Sequence, residues 1–159
     1  MNETILRFGY PATLIREYEH WVVLLRPAQP TLGSLILAAK GEETRFPMLA
    51  PEAFAGLRGA VHDIENALGA AVPHDKINYL MLMMVDPHVH FHVIPRYEGK
   101  REACGVSVRD TGWPKVPALA EAVTLEPGQV EALTAYLKSS WPIRRCPPYD
   151  VGNIGTPSP

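Results

Sequence analysis

The run His88-Val89-His90-Phe91-His92-Val93-Ile94 constrains this chain more than any other stretch. Side chains of a β-strand point alternately to its two faces. As a strand, these residues project His88, His90 and His92 to one side, about 7 Å apart. Val89, Phe91 and Val93 project to the other. Such a strand needs a core against its apolar face and leaves a row of imidazoles on the opposite face. Three of the chain's six histidines fall in these five positions, a concentration that packing alone does not call for.

Other segments supply the partners. Trp21-Val22-Val23-Leu24-Leu25 is a short β-rich apolar run that stops at Arg26-Pro27, because proline disfavours strand continuation. Residues 27–31 read as a turn, and Leu35-Ile36-Leu37-Ala38-Ala39 reads as the returning strand of an antiparallel hairpin. Residues 77–83 and 88–94 form a second strand pair, with Val85-Asp86-Pro87 as the reversal between them. Met81 and Met83 in this pair are read as core.

Two helices complete the pattern. Pro51 suits a first helical position with Glu52 beside the positive end of the dipole. Phe54, Leu57, Val61, Ile64 and Leu68 then recur every three or four residues, and Gly69 is the expected C-cap. His62 is read as a solvent-edge residue of this helix. Glu126-Pro127 opens the second helix, with Val130, Leu133 and Leu137 on one face. Residues 98–117, with three glycines and two prolines around Trp113, predict a long, partly ordered loop. The fold class is therefore α+β, an antiparallel β-sheet with helices packed on it. The chain reads as one domain over residues 1–141 and a Pro/Gly-rich tail over residues 142–159.

A formal net charge of −2 gives no basic field that would call for a nucleic acid partner. No apolar run is long enough to span a bilayer, and the first residues lack the basic start and apolar core of a secretory signal. The expected compartment is the cytoplasm. Cys104 and Cys146 show no metal or redox spacing and are expected as reduced thiols.

Three readings fit the imidazole row. It could be an exposed strand face that happens to carry histidines. It could be a metal site, since His-x-His on a strand ligates zinc, although in-line ligands on one strand converge poorly on one ion. It could be a nucleophilic site, one imidazole attacking while its neighbours orient it and donate protons.

The string His88-Val89-His90-Phe91-His92-Val93-Ile94-Pro95-Arg96 resembles the motif of the histidine triad (HIT) family, in which three histidines alternate with apolar residues. The resemblance covers about residues 8–97. Gln29-Pro30-Thr31-Leu32-Gly33-Ser34-Leu35-Ile36-Leu37 is similar to the approach to the family's second strand, and Leu49-Ala50-Pro51-Glu52-Ala53-Phe54 to its following helix start. Gly112-Trp113-Pro114-Lys115-Val116-Pro117 resembles a Trp-Pro segment of a bacterial subgroup.

This resemblance implies a HIT-like fold, a homodimer, and hydrolysis or nucleotidyl transfer at the α-phosphate of a purine nucleotide such as a dinucleoside polyphosphate or nucleoside phosphoramidate. His90 would be the nucleophile, forming a covalent nucleotidyl-histidine. His88 and His92 would hydrogen-bond phosphate, backbone and leaving group, a protonated one also neutralising phosphate charge. No cofactor or metal is implied. A nucleotide-binding protein without turnover is the alternative, and a metal-binding protein a more distant one.

The sequence departs from the family at three places. Ser34 stands where many members carry a fourth histidine. Met84-Val85-Asp86-Pro87 replaces a glycine-rich loop with a hydrogen-bond donor just before the first histidine. Arg26 stands at the position of a ribose-binding Asn or Asp. Arg26, Ser34 and Asn78 are accordingly candidate substrate-binding residues, Arg26 because guanidinium matches phosphate oxygens. Arg96 is expected to anchor the loop that follows the triad.

Overall fold

The computed structural model describes residues 1–143. Arg144, Arg145, Cys146 and nearly all of the expected tail lie outside the described residues. The chain runs through helix α1 (Glu3–Arg7), strands β1 (Leu14–Glu17), β2 (Trp21–Leu25), β3 (Ala28–Gln29) and β4 (Leu35–Ala39), and helix α2 (Pro51–Ala71). It continues through β5 (Lys76–Leu80), β6 (His90–Arg96), β7 (Lys100–Ala103), β8 (Val106–Arg109), β9 (Val123–Thr124) and helix α3 (Pro127–Ser139).

Five strands form one antiparallel sheet in the order β1-β2-β4-β6-β5. The expected hairpin of β2 and β4 is present, pairing Trp21 with Ala39 and Leu25 with Leu35. Its turn closes at Gly33, whose φ of +85° favours glycine and where a Cβ would come within 3.0 Å of Val72 on the helix side. Fully buried β2 and β4 use both of their faces. Trp21, Val23, Leu25, Leu35 and Leu37 pack toward the cluster that contains Ile64 and Leu68 of α2 and Leu133 and Leu137 of α3. Val22, Leu24, Ile36 and Ala38 face the other way, against Ile5, Phe8, Tyr10 and Leu14. Each such buried aliphatic side chain contributes roughly 1.5–3 kcal/mol relative to exposure.

The α2 helix begins at Pro51 as its sequence predicts, and the Trp21 indole donates to Ala53 O at 2.7 Å, tying the helix start to β2. Its buried stripe differs from the expected one. Ala53, Ala60, Ala67 and Ala71 join Ile64 and Leu68 inside, because small residues let the helix lie close to the sheet. Phe54 is 39% exposed, on a flank where it packs edge-on to Phe46 at 5.3 Å. Gly69 is not the cap. The helix continues to Ala71, and the Val72 N–H closes it on Leu68 O.

Two further expectations are corrected. The loop over residues 98–117 holds the hairpin β7–β8, closed by Cys104 (φ +53°) and Gly105 (φ +71°). Left-handed conformation at both central residues marks a type I′ turn, whose twist matches the flanking strands. The strand expected over 77–83 ends at Leu80, and the triad strand starts at His90 instead of His88. Met83 has a φ of +44°, which breaks the extended run, and Pro87 lacks a ladder donor.

Candidate active site

On β6 the alternation puts His90, His92, Ile94 and Arg96 on the face opposite the helices. Val89 and Val93 are fully buried in the helix-side core, and Phe91 packs against it. The rings of His90 and His92 meet with centroids 5.0 Å apart and Nε2···Nε2 at 3.3 Å.

His88 is held apart from this pair. It precedes the strand, and its backbone N–H donates to Thr4 Oγ1 at 3.4 Å. Thr4 Oγ1 and His88 Nδ1 share a hydrogen bond at 2.9 Å. His88 Nε2 in turn faces Glu42 Oε2 at 3.2 Å. The first histidine of the motif therefore clamps α1 to the segment after β4, while its carbonyl serves the second. His90 Nδ1 lies 2.7 Å from His88 O. A carbonyl only accepts, so Nδ1 carries the proton, and neutral His90 keeps its lone pair on Nε2. That lone pair accepts from His92 Nε2–H across the 3.3 Å contact.

Burial drives His92 from 6.5 down to about 4, with the charges of His90 and Arg26 acting in the same direction and Asp86 opposing them. The unliganded site therefore holds His92 neutral at pH 7. Its Nδ1 is buried without a hydrogen-bond partner.

Phe8 roofs the pair, its ring centroid 5.6 Å from that of His90 and 5.9 Å from that of His92. Beneath it His90 is 1% and His92 7% exposed. Asn2 fixes the roof by donating from Nδ2 to Ala39 O at 2.9 Å and to Gly41 O at 2.6 Å. Thr4, Phe8 and Glu42 carry no motif. Nothing in the sequence marks them, because they meet the triad only through the tertiary fold.

The other candidate residues divide. Arg26 follows β2, is half-buried, and lies near enough to His92 for its charge to act there. Its Nη1 donates to Ala28 O, and its buried Nε has no partner among the described residues. Burial lowers the pKa of this guanidinium. Ser34 is fully buried, and its Oγ is taken up within the turn, 2.7 Å from Thr31 O and 3.0 Å from Thr31 Oγ1. Its side-chain hydrogen bonds are with Thr31 and not with the histidine pair. Asn78 pairs with Ile94 across β5 and β6, on the histidine face, and its Oδ1 accepts from Arg96 Nη1 at 2.8 Å. Arg96 does anchor the following loop. Its Nε and Nη2 grip Asp110 at 2.7 and 3.1 Å. Asp86 is paired with Arg7 at 3.4 Å.

Among the described residues no helix is long and apolar enough to cross a membrane. Nor does any group of three or more His, Cys, Asp or Glu residues there stand where it could hold a metal ion.

No protein-family model matches the sequence, and no curated protein matches it. Solved structures do. The chain is similar to a histidine triad protein from Sinorhizobium meliloti at 22% identity and TM-score 0.68, covering 88% of this chain and 95% of that one. It is similar to a histidine triad protein from Bradyrhizobium japonicum at 17% identity and TM-score 0.67, covering 89% and 96%. A hypothetical histidine triad nucleotide-binding protein from Sulfolobus tokodaii matches at 20% identity and TM-score 0.63, covering 86% and 88%. The chain thus has the histidine triad fold, as its motif implied.

Proposed function

We propose that the protein hydrolyses or transfers nucleotides at the α-phosphate, with His90 Nε2 as the nucleophile. The observation that carries this is the 2.7 Å contact between His90 Nδ1 and His88 O, which leaves the Nε2 lone pair on the face shared with His92. In the first step Nε2 forms a bond to the α-phosphorus, and the bond from that phosphorus to the leaving-group oxygen or nitrogen breaks, the leaving group keeping the bonding pair and a nitrogen taking its proton from solvent. The imidazolium charge that develops on His90 lies against the His88 carbonyl dipole, which stabilises it. Neutral His92 gives its Nε2–H to a phosphoryl oxygen instead of to His90. In the second step water, or another acceptor, displaces His90 from phosphorus, releases its proton to solvent and restores the neutral imidazole. Phe8 swings aside to admit the phosphate, because His90 is sealed beneath it.

The same reading makes the substrate a purine nucleotide, the assembly a homodimer and the compartment the cytoplasm. The S. tokodaii protein's description as nucleotide-binding is consistent with it. Wild type and His90→Ala, assayed side by side on an adenosine phosphoramidate, diadenosine polyphosphates and their guanosine equivalents, test the proposal. Nucleoside monophosphate released by wild type alone, with chelator present, is the expected result. Equal release by His90→Ala overturns the assignment, and binding without release by wild type makes the chain a non-catalytic nucleotide binder.

A further inference from the structure

The chemistry above leaves charge on phosphorus unmatched. A nucleotide α-phosphate is anionic, and attack by His90 Nε2 raises the charge on its non-bridging oxygens. Neutral His92 offers them a hydrogen bond but no charge. Fixed cations aimed at oxygens where charge develops are a large part of catalysis at phosphorus. The cations on or over the histidine face are not equivalent in this respect. Arg96 is spent on Asp110. Arg7 of α1 is exposed and divided between Glu3 at 2.9 Å and Asp86 at 3.4 Å. Lys76 is exposed and lies opposite Arg96, about 13 Å along β6 from His92. Arg26 differs from all three, being half-buried and in no ion pair among the described residues.

The sheet register places Arg26 beside the pair. Residues directly opposite in an antiparallel pair project from the same face. Leu24 is opposite Ile36, and Ile36 is opposite His92, so Leu24 shares the histidine face. Arg26 stands two residues further on, on the same side of the chain. Its N–H donates to Ser34 O at 3.0 Å, which extends the ladder one pair past β2. Two strand spacings across and two residues along put its Cα about 12 Å from that of His92. A phosphate fits between an arginine side chain and the imidazoles at that separation. The donors of the guanidinium are largely open. Its one side-chain hydrogen bond among the described residues runs from Nη1 to Ala28 O, and Nε is buried without a partner. Buried donors are normally satisfied, so an open one beside the histidine pair calls for an acceptor that the chain does not supply.

We infer that Arg26 is a catalytic residue of this site: its guanidinium donates to the non-bridging oxygens of the attacked phosphate and supplies the positive charge that the two neutral histidines lack. This rests on the proposed attack by His90. The interaction strengthens as charge builds in the transition state, so it acts on turnover more than on substrate affinity. The planar fork of arginine grips two oxygens at once, which a lysine ammonium does not. Half-burial keeps water from screening the charge, and guanidinium stays protonated throughout the working pH range.

The test compares wild type, Arg26→Ala and Arg26→Lys on an adenosine phosphoramidate and on diadenosine tetraphosphate. In Arg26→Ala kcat is expected to fall about a hundredfold or more on both substrates, with KM nearly unchanged. Arg26→Lys, which keeps the charge, recovers part of the loss. Millimolar guanidinium chloride added to Arg26→Ala restores turnover at least tenfold, a rescue that a merely structural role would not give. An unchanged kcat, a loss confined to KM, or a loss that guanidinium leaves untouched overturns the inference. If wild type turns over neither compound, the His90 chemistry fails, and Arg26 is judged by calorimetric binding of adenosine monophosphate. A tenfold weaker Kd in Arg26→Ala then keeps its contact with the phosphate, and an equal Kd, or no binding by wild type, removes it.

Discussion

Burying His92 in neutral form makes the stability of this fold depend on pH in a calculable way. In the unfolded chain this imidazole titrates at its ordinary 6.5, and in the folded chain at about 4. Above pH 6.5 both states leave it neutral, and the full native stability is present. As pH falls from 6.5 toward 4 the unfolded chain takes up a proton that the folded chain refuses, so stability is lost. Below about 4 both states are protonated and the loss levels off. The gap corresponds to about 3 kcal/mol in all, of which about 2 kcal/mol falls between about pH 7 and about pH 4.5. That is a large fraction of the stability of a typical domain. Urea denaturation at those two pH values, on wild type and on His92→Gln, isolates the term, because the other titrating groups are common to both. Wild type should lose about 2 kcal/mol more than the variant on acidification. Parallel losses would refute the reasoning and show that His92 titrates freely in the native protein.

Two other expectations follow from the packing around the site. Phe8→Ala removes the roof over the pair, so the His92 imidazole should titrate closer to 6.5 by NMR, and an unmoved value near 4 would show that the burial comes from elsewhere. Asp110→Ala strands the Arg96 guanidinium inside the fold and should cost about 3–5 kcal/mol in chemical denaturation; a cost below about 1 kcal/mol would mean that water already reaches the pair.

Segments whose structure is dictated locally were legible in the sequence. The two apolar runs bounded by Pro27 and Gly33 are the strands β2 and β4, and Pro51 and Pro127 open α2 and α3. The histidine–apolar alternation correctly sends His90 and His92 to one face and Val89 and Val93 to the other. Elements that depend on tertiary context were not legible. α1 is only five residues long, too short for periodicity to show or for independent stability. The β7–β8 turn uses Cys104 in a left-handed conformation where Asn or Asp is the usual signal, so the hairpin read as loop.

The site divides along the same line. The alternation rule holds only while the chain is a strand, and the break around Met83 and Pro87 leaves His88 outside it. Its partners, Thr4 and Glu42, lie 84 and 46 residues away in sequence, a distance no motif spans. Ser34 was singled out by position, and its hydroxyl bonds Thr31 within the turn.

The central claim is that turnover passes through a covalent bond between phosphorus and His90 Nε2. The stereochemical course of hydrolysis at an isotopically chiral α-thiophosphate tests it most directly. Two successive in-line displacements, first by His90 and then by water, predict overall retention of configuration at phosphorus. Inversion would mean that water attacks the substrate directly, and would contradict the account.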